Sequence, residues 1–363
     1  MLLNEDDEIR GVYEVDRFLG EGAFAEVYRV KHKFLGRQAM KVFKSPSPEL
    51  EEIERNLAEA VLLSRIGHPN IIRVFDAGIL VTNAGRRGYF TMEYVPGGTL
   101  ESLWNSYRDG FAPILNTVDI IQQVCTGMAV AHSKQSPIIH RDIKPQNILV
   151  GYDAEGLRIR ISDFGLAKAV NPLTLLASAK GTPVFKPPEC LQNIDSCAGD
   201  VWSIGVTLYL LLTDRLPFPV ENRMDLSTGK CWKRKLIPAS EFNPRVDDHL
   251  ESIVSRCLKL DPTERYSNAA EMLEDLRRWE QPKSKSVAAD IEHVDGSKSA
   301  LGSTAKSEES KPETMVKEAK KIARDPRKLM EAADLLEEAM IRQSGLREKY
   351  EYQLKLWRRG VVV

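Results

Sequence analysis

The sequence predicts an α+β chain in two unequal parts: a small antiparallel β part with one helix, then a larger, mainly helical part. Three observations predict it. Residues 13–43 read as short strands, alternating and β-branched, broken by Gly20, Gly22 and Gly36. Pro96-Gly97-Gly98 then interrupts the chain. Beyond it, apolar residues recur at helical spacing, as in residues 117–132, where Ile121, Val124, Cys125 and Met128 share one face.

In chain order, residues 1–12 form an acidic N-terminal extension without the basic and apolar regions of a signal peptide. Pro46 and Pro48 close the first group of strands. A helical pattern opens at Glu49, carrying Ile53, Leu57 and Val61 at four-residue spacing, and His68-Pro69-Asn70 ends it. Two more strands follow, 71–80 and 89–94, joined by a polar, Gly-containing turn over 82–88. Five strands are therefore expected in the first part. Further helices are expected at about 200–213, 247–259 and 267–279. Residues 281–314 shift to Ser, Lys, Glu and Ala; so little apolar surface cannot offset chain entropy, and the stretch reads as a disordered linker. Residues 315–363 turn helical again and charged, with Leu329, Leu335, Leu336, Met340 and Leu346, and with Gly345 placed between two helices. Trp357, Tyr350 and Tyr352 favour a contact surface there, for a protein partner or for the rest of the chain, over a solvated charged helix.

Composition narrows the function classes. With 42% hydrophobic and 28% charged residues, the 363-residue chain can bury a sizeable core. A formal net charge of -1 gives no reason to expect nucleic acid or an anionic membrane as partner. Five cysteines, an odd number without a Cys-x-x-Cys pair, point to a reducing, cytoplasmic compartment. The most apolar run, 201–212, is interrupted by Ser203, Gly205 and Thr207 and is too short to span a bilayer.

The chemistry is concentrated at His140-Arg-Asp-Ile-Lys-Pro-Gln-Asn147, with Asp163-Phe164-Gly165 sixteen residues after Asn147. An acid, a lysine and an amide at this spacing, followed by a second acid, suit phosphoryl transfer. One carboxylate can accept a hydroxyl proton, the lysine can neutralise phosphate charge, and the amide and second carboxylate can hold magnesium. Upstream, Gly20-Glu21-Gly22-Ala23-Phe24-Ala25 and Val27 lie between two expected strands, where glycine lets backbone N–H groups approach phosphates. A strand on its far side argues against a dinucleotide-binding turn. Lys41, in Ala39-Met40-Lys41, is flanked by apolar residues on a strand, so its ammonium needs an anionic partner.

Taken together these motifs closely resemble the eukaryotic-type serine/threonine protein kinases, over residues 13–279. The resemblance implies a bilobal kinase domain at 13–280: an N-lobe (13–92), a hinge (93–98) and a mainly helical C-lobe (99–280). It implies ATP and Mg2+ in the cleft, with Leu19, the glycine loop, Val27, Ala39, Lys41 and Leu149 around the nucleotide. Met92 would guard the back of the pocket, and the backbone of Glu93 and Val95 would meet the purine. Lys41 would pair with Glu59, nine residues before His68, and Leu63 would lie toward Phe164. Asp142 would accept the substrate hydroxyl proton, Lys144 would contact the transferring phosphate, and Asn147 and Asp163 would hold the metal. Gly181-Thr182-Pro183 resembles the serine/threonine peptide-binding turn, with Thr182 bonding Asp142 and Lys144. Glu189 would pair with Arg265, Asp200 would brace the catalytic loop, and His140 would pack on Phe164. Arg141 would respond to phosphorylation of Thr174 or Ser178. Thr99 and Gln146 stand where arginine-directed kinases carry acids, so no strong requirement for an upstream arginine is expected. Ala25 replaces the third glycine of the family's loop, and Pro187 stands where the family has alanine. The intact set of Lys41, Asp142, Asn147 and Asp163 argues against a nucleotide-sensing scaffold, and the peptide-binding turn argues against a small-molecule kinase.

Overall fold

The computed structural model describes residues 1–47, 49–82, 85–107, 111–153, 156–164, 183–218, 225, 228–279, 311–325, 328–343 and 345–358. The first part is an antiparallel sheet of β1 (Glu8–Ile9), β2 (Tyr13–Glu21), β3 (Ala25–His32), β4 (Gly36–Phe43), β5 (Val74–Thr82) and β6 (Gly85–Glu93), in the order β1-β2-β3-β4-β6-β5. The strand period of two sorts the side chains of β4. Met40 and Val42 enter an outer core with Ile9, Val15, Tyr28, Val30 and Tyr89, whereas Ala39, Phe43 and the intervening Lys41 face inward. Helix α1 (Leu50–Ser64) covers the inner face, and Ile53 and Leu57 come against Gly88 of β6.

Two expectations change here. The sheet has six strands, not five, because Glu8–Ile9 adds an edge strand to β2. Residues 1–12 are accordingly part of the N-lobe: Leu3 and Ile9 are buried, and the backbone N–H groups of Leu2 and Leu3 donate to the Tyr28 hydroxyl at 2.9 and 3.1 Å.

The second part holds α2 (Leu100–Asn105), α3 (Ile114–His132), the hairpin β7 (Ile148–Asp153) and β8 (Gly156–Ile161), α4 (Cys197–Thr213), α5 (Ala239–Phe242), α6 (Asp248–Cys257) and α7 (Ala269–Arg278). Thr99, Ser196, Asp247 and Asn268 cap α2, α4, α6 and α7 by accepting from N–H groups of the first turn. Helix α3 is long and apolar enough to cross a bilayer by length and composition, but much of it is buried against α4 and α7 in the lobe's core. Helix α4 is buried nearly throughout, and a Cβ at Gly205 would stand 2.4 Å from Cys257 Cβ, so glycine sets the close crossing with α6.

Residues 312–358 form three helices rather than the expected pair: α8 (Pro312–Ile322), α9 (Leu329–Arg342) and α10 (Gly345–Arg358). The first begins inside the stretch read as linker; the rest of that stretch, 281–310, lies outside the described residues. The three helices bury Met315, Ala332, Leu336, Met340, Leu354 and Trp357 together with Tyr152 of β7. The solvated-helix alternative therefore fails, because the unit packs on the C-lobe.

Candidate active site

The loop between α3 and β7 is built around Asp200, at the start of α4. Its carboxylate accepts the N–H groups of His140 and Arg141, both at 2.8 Å, and lies 3.0 Å from His132 Nε2. These bonds hold Arg141 at φ 70°, in the left-handed region that costs a side-chain-bearing residue about 1–3 kcal/mol. His140 stands 2.9 Å from the Ser162 carbonyl through Nε2 and accepts the Asp142 N–H at Nδ1, 3.2 Å. That assigns the proton to Nε2 and a neutral ring, in keeping with burial, which lowers the imidazole pKa. As expected, the ring packs on Phe164, centroids 4.4 Å apart.

Three donors converge on Asp142. Lys144 Nζ and Asn147 Nδ2 reach Oδ2 at 2.8 and 2.9 Å, and Lys186 Nζ lies 3.5 Å from Oδ1. Burial alone would raise this carboxyl, but the two lysines outweigh it and hold the pKa below the ordinary value. Asn147 Nδ2 also donates to the Asp142 carbonyl at 2.8 Å, so its Oδ1 is the end turned away from Asp142. Asp163, at φ 62°, pairs through Oδ1 with Lys41 Nζ at 2.5 Å. That contact joins β4 of one lobe to the segment after β8 of the other, and Lys41 Nζ also lies 5.5 Å from the Phe90 ring centroid. Glu59 is on α1, but its side chain, like Thr174, Ser178 and Thr182, lies outside the described residues. Leu63 and Phe164 are buried in the same core.

The glycine loop is a hairpin end between β2 and β3. Gly22 N–H donates to the Ala25 carbonyl at 2.8 Å, and Lys44 Nζ ties down Glu21 and the Gly22 carbonyl at 2.7 and 2.9 Å. A Cβ at Gly20 would meet nothing within 4 Å, so the fold itself does not demand glycine there; an open approach to the backbone is what it provides. Ala25 is buried in the inner core at an ordinary φ, which accounts for alanine in place of the family's third glycine. Leu19, Ala23 and Phe24 are exposed at the loop's tip. Val27 pairs with Lys41 across β3 and β4, and Ala39 with Met92 across β4 and β6, so register brings these residues to one wall. Leu149, on β7, packs against the same core from the other lobe. At the hinge, Met92 and Val95 are buried, Glu93 N–H donates to the Arg73 carbonyl at 2.8 Å, and the Glu93 carboxylate accepts from Arg160 Nε of β8 at 2.8 Å.

Two further expectations hold and one changes. Glu189 receives Arg265 in a bidentate pair, and Asp200 braces the loop as described. Arg141, expected to await a phosphate, already donates from Nε to Asp195 at 2.6 Å. Pro187 precedes the 3-10 turn Pro188–Gln192 in an extended conformation that proline accepts. Gln146 donates to Glu101 at 2.6 Å, and Thr99 serves as the cap of α2. Lys186, Asp195, Glu101 and Arg160 were not singled out from the sequence, because each meets its partner across dozens of residues with no local pattern to mark it.

A glycine-loop sheet, a cross-lobe lysine-aspartate pair and a catalytic-type loop define a two-lobed phosphotransfer fold, and the chain belongs to the protein kinase family: the Protein kinase domain matches residues 13–276. Among curated relatives it is similar to the serine/threonine-protein kinase PrkC of Bacillus subtilis, 31% identical over 74% of this chain and 40% of the relative. It is also similar to the serine/threonine-protein kinase PknB of Mycobacterium leprae, 32% identical over 73% of this chain and 42% of the relative. The chain thus spans about two fifths of the length of these relatives. Among solved structures, a single-substitution mutant of the PknI kinase domain of Mycobacterium tuberculosis shares the fold, with a TM-score of 0.55 at 24% identity, covering 76% of this chain and 98% of that one.

Proposed function

We propose that this chain is a protein serine/threonine kinase that transfers the γ-phosphate of ATP to a hydroxyl of a protein substrate. The observation that carries this is the state of Asp142: a part-buried carboxylate, open to the cleft, kept ionised by Lys144 and Lys186 and oriented by Asn147, as a group that receives a hydroxyl proton must be. Asp142 orients the hydroxyl and takes its proton. Lys144, with its ammonium beside Asp142, neutralises charge on the phosphoryl group. Lys41 holds the remaining phosphates, and Leu19 to Ala25 cover them. Val27, Ala39, Met92, Val95 and Leu149 form the apolar walls for the base, and the hinge backbone at Glu93 and Val95 reads its edge. Thr182 fits the role of a contact to Asp142 and Lys144, and Glu59 that of a second partner for Lys41. Phosphorylation of Thr174 or Ser178 would have to draw Arg141 away from Asp195 to be sensed through it.

The donors fit a magnesium ion. The Asn147 amide oxygen and the second oxygen of Asp163 are hard ligands, two in number, and Mg2+ is commonly held by one or two protein oxygens together with phosphates and water. When bound it supplies positive charge against the phosphates; the protein's own part is to hold Asn147 and Asp163 in place through Asp142, Ser162 and Lys41. We also place the chain in a reducing, cytoplasmic compartment, in keeping with its five free cysteines. The experiment is a phosphate-transfer assay on a generic protein substrate with wild type, Asp142→Ala and Lys41→Met. Labelling is expected from wild type alone, and equal labelling by all three would end the enzyme reading.

A further inference from the structure

Helix α9 lies behind the hinge and touches both lobes with different faces. Glu331, Asp334 and Glu338, spaced by three and four residues, share one face. Asp334 and Glu331 lie 3.4 and 3.8 Å from Arg37 of β4, and Glu338 lies 3.2 Å from Arg17 of β2. The adjoining face carries Glu337 and Ile341 into the C-lobe. Glu337 accepts the Tyr152 N–H of β7 at 3.0 Å and the Arg358 guanidinium at 2.6 Å. A Cβ at Gly97 of the hinge would stand 2.3 Å from Ile341 Cδ1 and 3.1 Å from Glu337 Oε1, and one at Gly151 of β7 would stand 3.3 Å from Glu337 Oε1. Both glycines admit α9 against backbone.

The two attachments differ in kind. On the C-lobe side Tyr152, Leu354 and Trp357 share one buried core, and Arg347 donates to the hydroxyls of Tyr152 and, at 2.9 Å, Tyr107. On the N-lobe side the attachment runs through part-exposed ion pairs. Arg17 lies two residues before Leu19 at the glycine loop, and Arg37 four residues before Lys41. A rotation of the N-lobe about residues 93–98 must change these pair distances, while Lys41 and Asp163 span the same cleft on its front side at 2.5 Å.

We propose that the three-helix unit 312–358 is a strap, fixed to the C-lobe and ion-paired to the N-lobe, that holds the lobes in the assembled arrangement and thereby sets the affinity for ATP. Its nucleotide part rests on the kinase reading; its mechanical part does not. The strap acts through Arg17 and Arg37 as positioning residues and touches no reacting atom.

The test uses the full chain with Arg17→Glu, Glu338→Arg and the two combined, a swap that restores the pair with reversed signs. Hydrogen exchange over residues 13–32 and 93–98 reads the mechanical part, and KM for ATP against kcat reads its consequence. Each single reversal is expected to speed exchange in both segments and to raise KM for ATP by about two- to tenfold, the range of a part-exposed pair converted to repulsion, with kcat within about twofold. The combined variant is expected to recover much of both, short of wild type because Glu338 also receives Arg342 at 3.0 Å within α9. Unchanged exchange and KM in the singles, or a combined variant no better than Arg17→Glu, would overturn the strap. Wild type that neither binds nor uses ATP would instead remove the kinase reading, and the exchange data would still decide the strap.

Discussion

Glu189→Gln tests whether the C-lobe depends on one buried ion pair. The Arg265 side chain is 0% exposed and that of Glu189 7%. All five guanidinium N–H groups find acceptors. Nε donates to the Lys259 carbonyl at 2.7 Å, and Nη1 to Glu189 Oε1 and the Ala198 carbonyl at 2.7 and 3.2 Å. Nη2 donates to Glu189 Oε2 and the Leu260 carbonyl at 2.9 and 3.1 Å. The cation also lies 4.8 Å over the Trp202 ring. Glutamine keeps the shape, but it turns one acceptor into a donor facing a guanidinium N–H and leaves a buried cation without its counter-charge. Removing one partner of such a pair costs about 3–5 kcal/mol. At about 2–4 °C per kcal/mol for a domain of this size, Tm should fall by roughly 6–20 °C. Thermal unfolding of the full chain by calorimetry or circular dichroism measures it. Glu189→Leu combined with Arg265→Met removes both charges and should cost less than the single change. A Tm within about 2 °C of wild type for Glu189→Gln, or a double variant less stable than the single, would show that the C-lobe does not depend on this pair.

His140 is held neutral by burial, its pKa lowered from 6.5, so the stability tied to the neutral ring is present above pH 6.5 and is lost as pH falls below it toward the lowered value. Melting curves taken at falling pH should show that loss, and His140→Leu should flatten it; equal slopes would contradict the assignment. Glu337 carries the opposite sign. Burial pushes its carboxyl from 4.5 up to about 7 against the pull of Arg358, with Asp334 adding to the rise. Its contribution to docking is full below pH 4.5 and is lost as pH rises through about 7, so the Tyr152 amide, corrected for intrinsic rate, should exchange faster above that pH in wild type and without this step in Glu337→Gln. On peptide arrays, preference for arginine three residues before the target hydroxyl should stay under about tenfold, ~1.4 kcal/mol. Thr99 caps α2, and the Gln146 amide is already bonded to Glu101. A stronger preference would show that Glu101 serves as the missing acid.

The active-site groups were legible because they are local. Asp142, Lys144 and Asn147 lie within six residues and bond to one another, and the strand period alone turns Lys41 inward between Met40 and Val42. The edge strand Glu8–Ile9 was not legible, since two residues carry no period. The break between α8 and α9 was legible but overlooked: Asp325-Pro326 stands between the two apolar-spaced stretches, and proline stops a helix. Short spacings marked the catalytic loop and the glycine loop, and the break at Pro96-Gly97-Gly98 marked the two parts; the Glu189–Arg265 pair, 76 residues apart, was expected only through the kinase resemblance. It took the packed fold to show that Lys186 joins Asp142, that Asp195 takes Arg141, and that α9 bridges the lobes through Arg17, Arg37 and the two glycines behind it. Those contacts join residues tens to hundreds of positions apart, and their partners are ordinary surface charges until the packing of apolar faces brings them within reach.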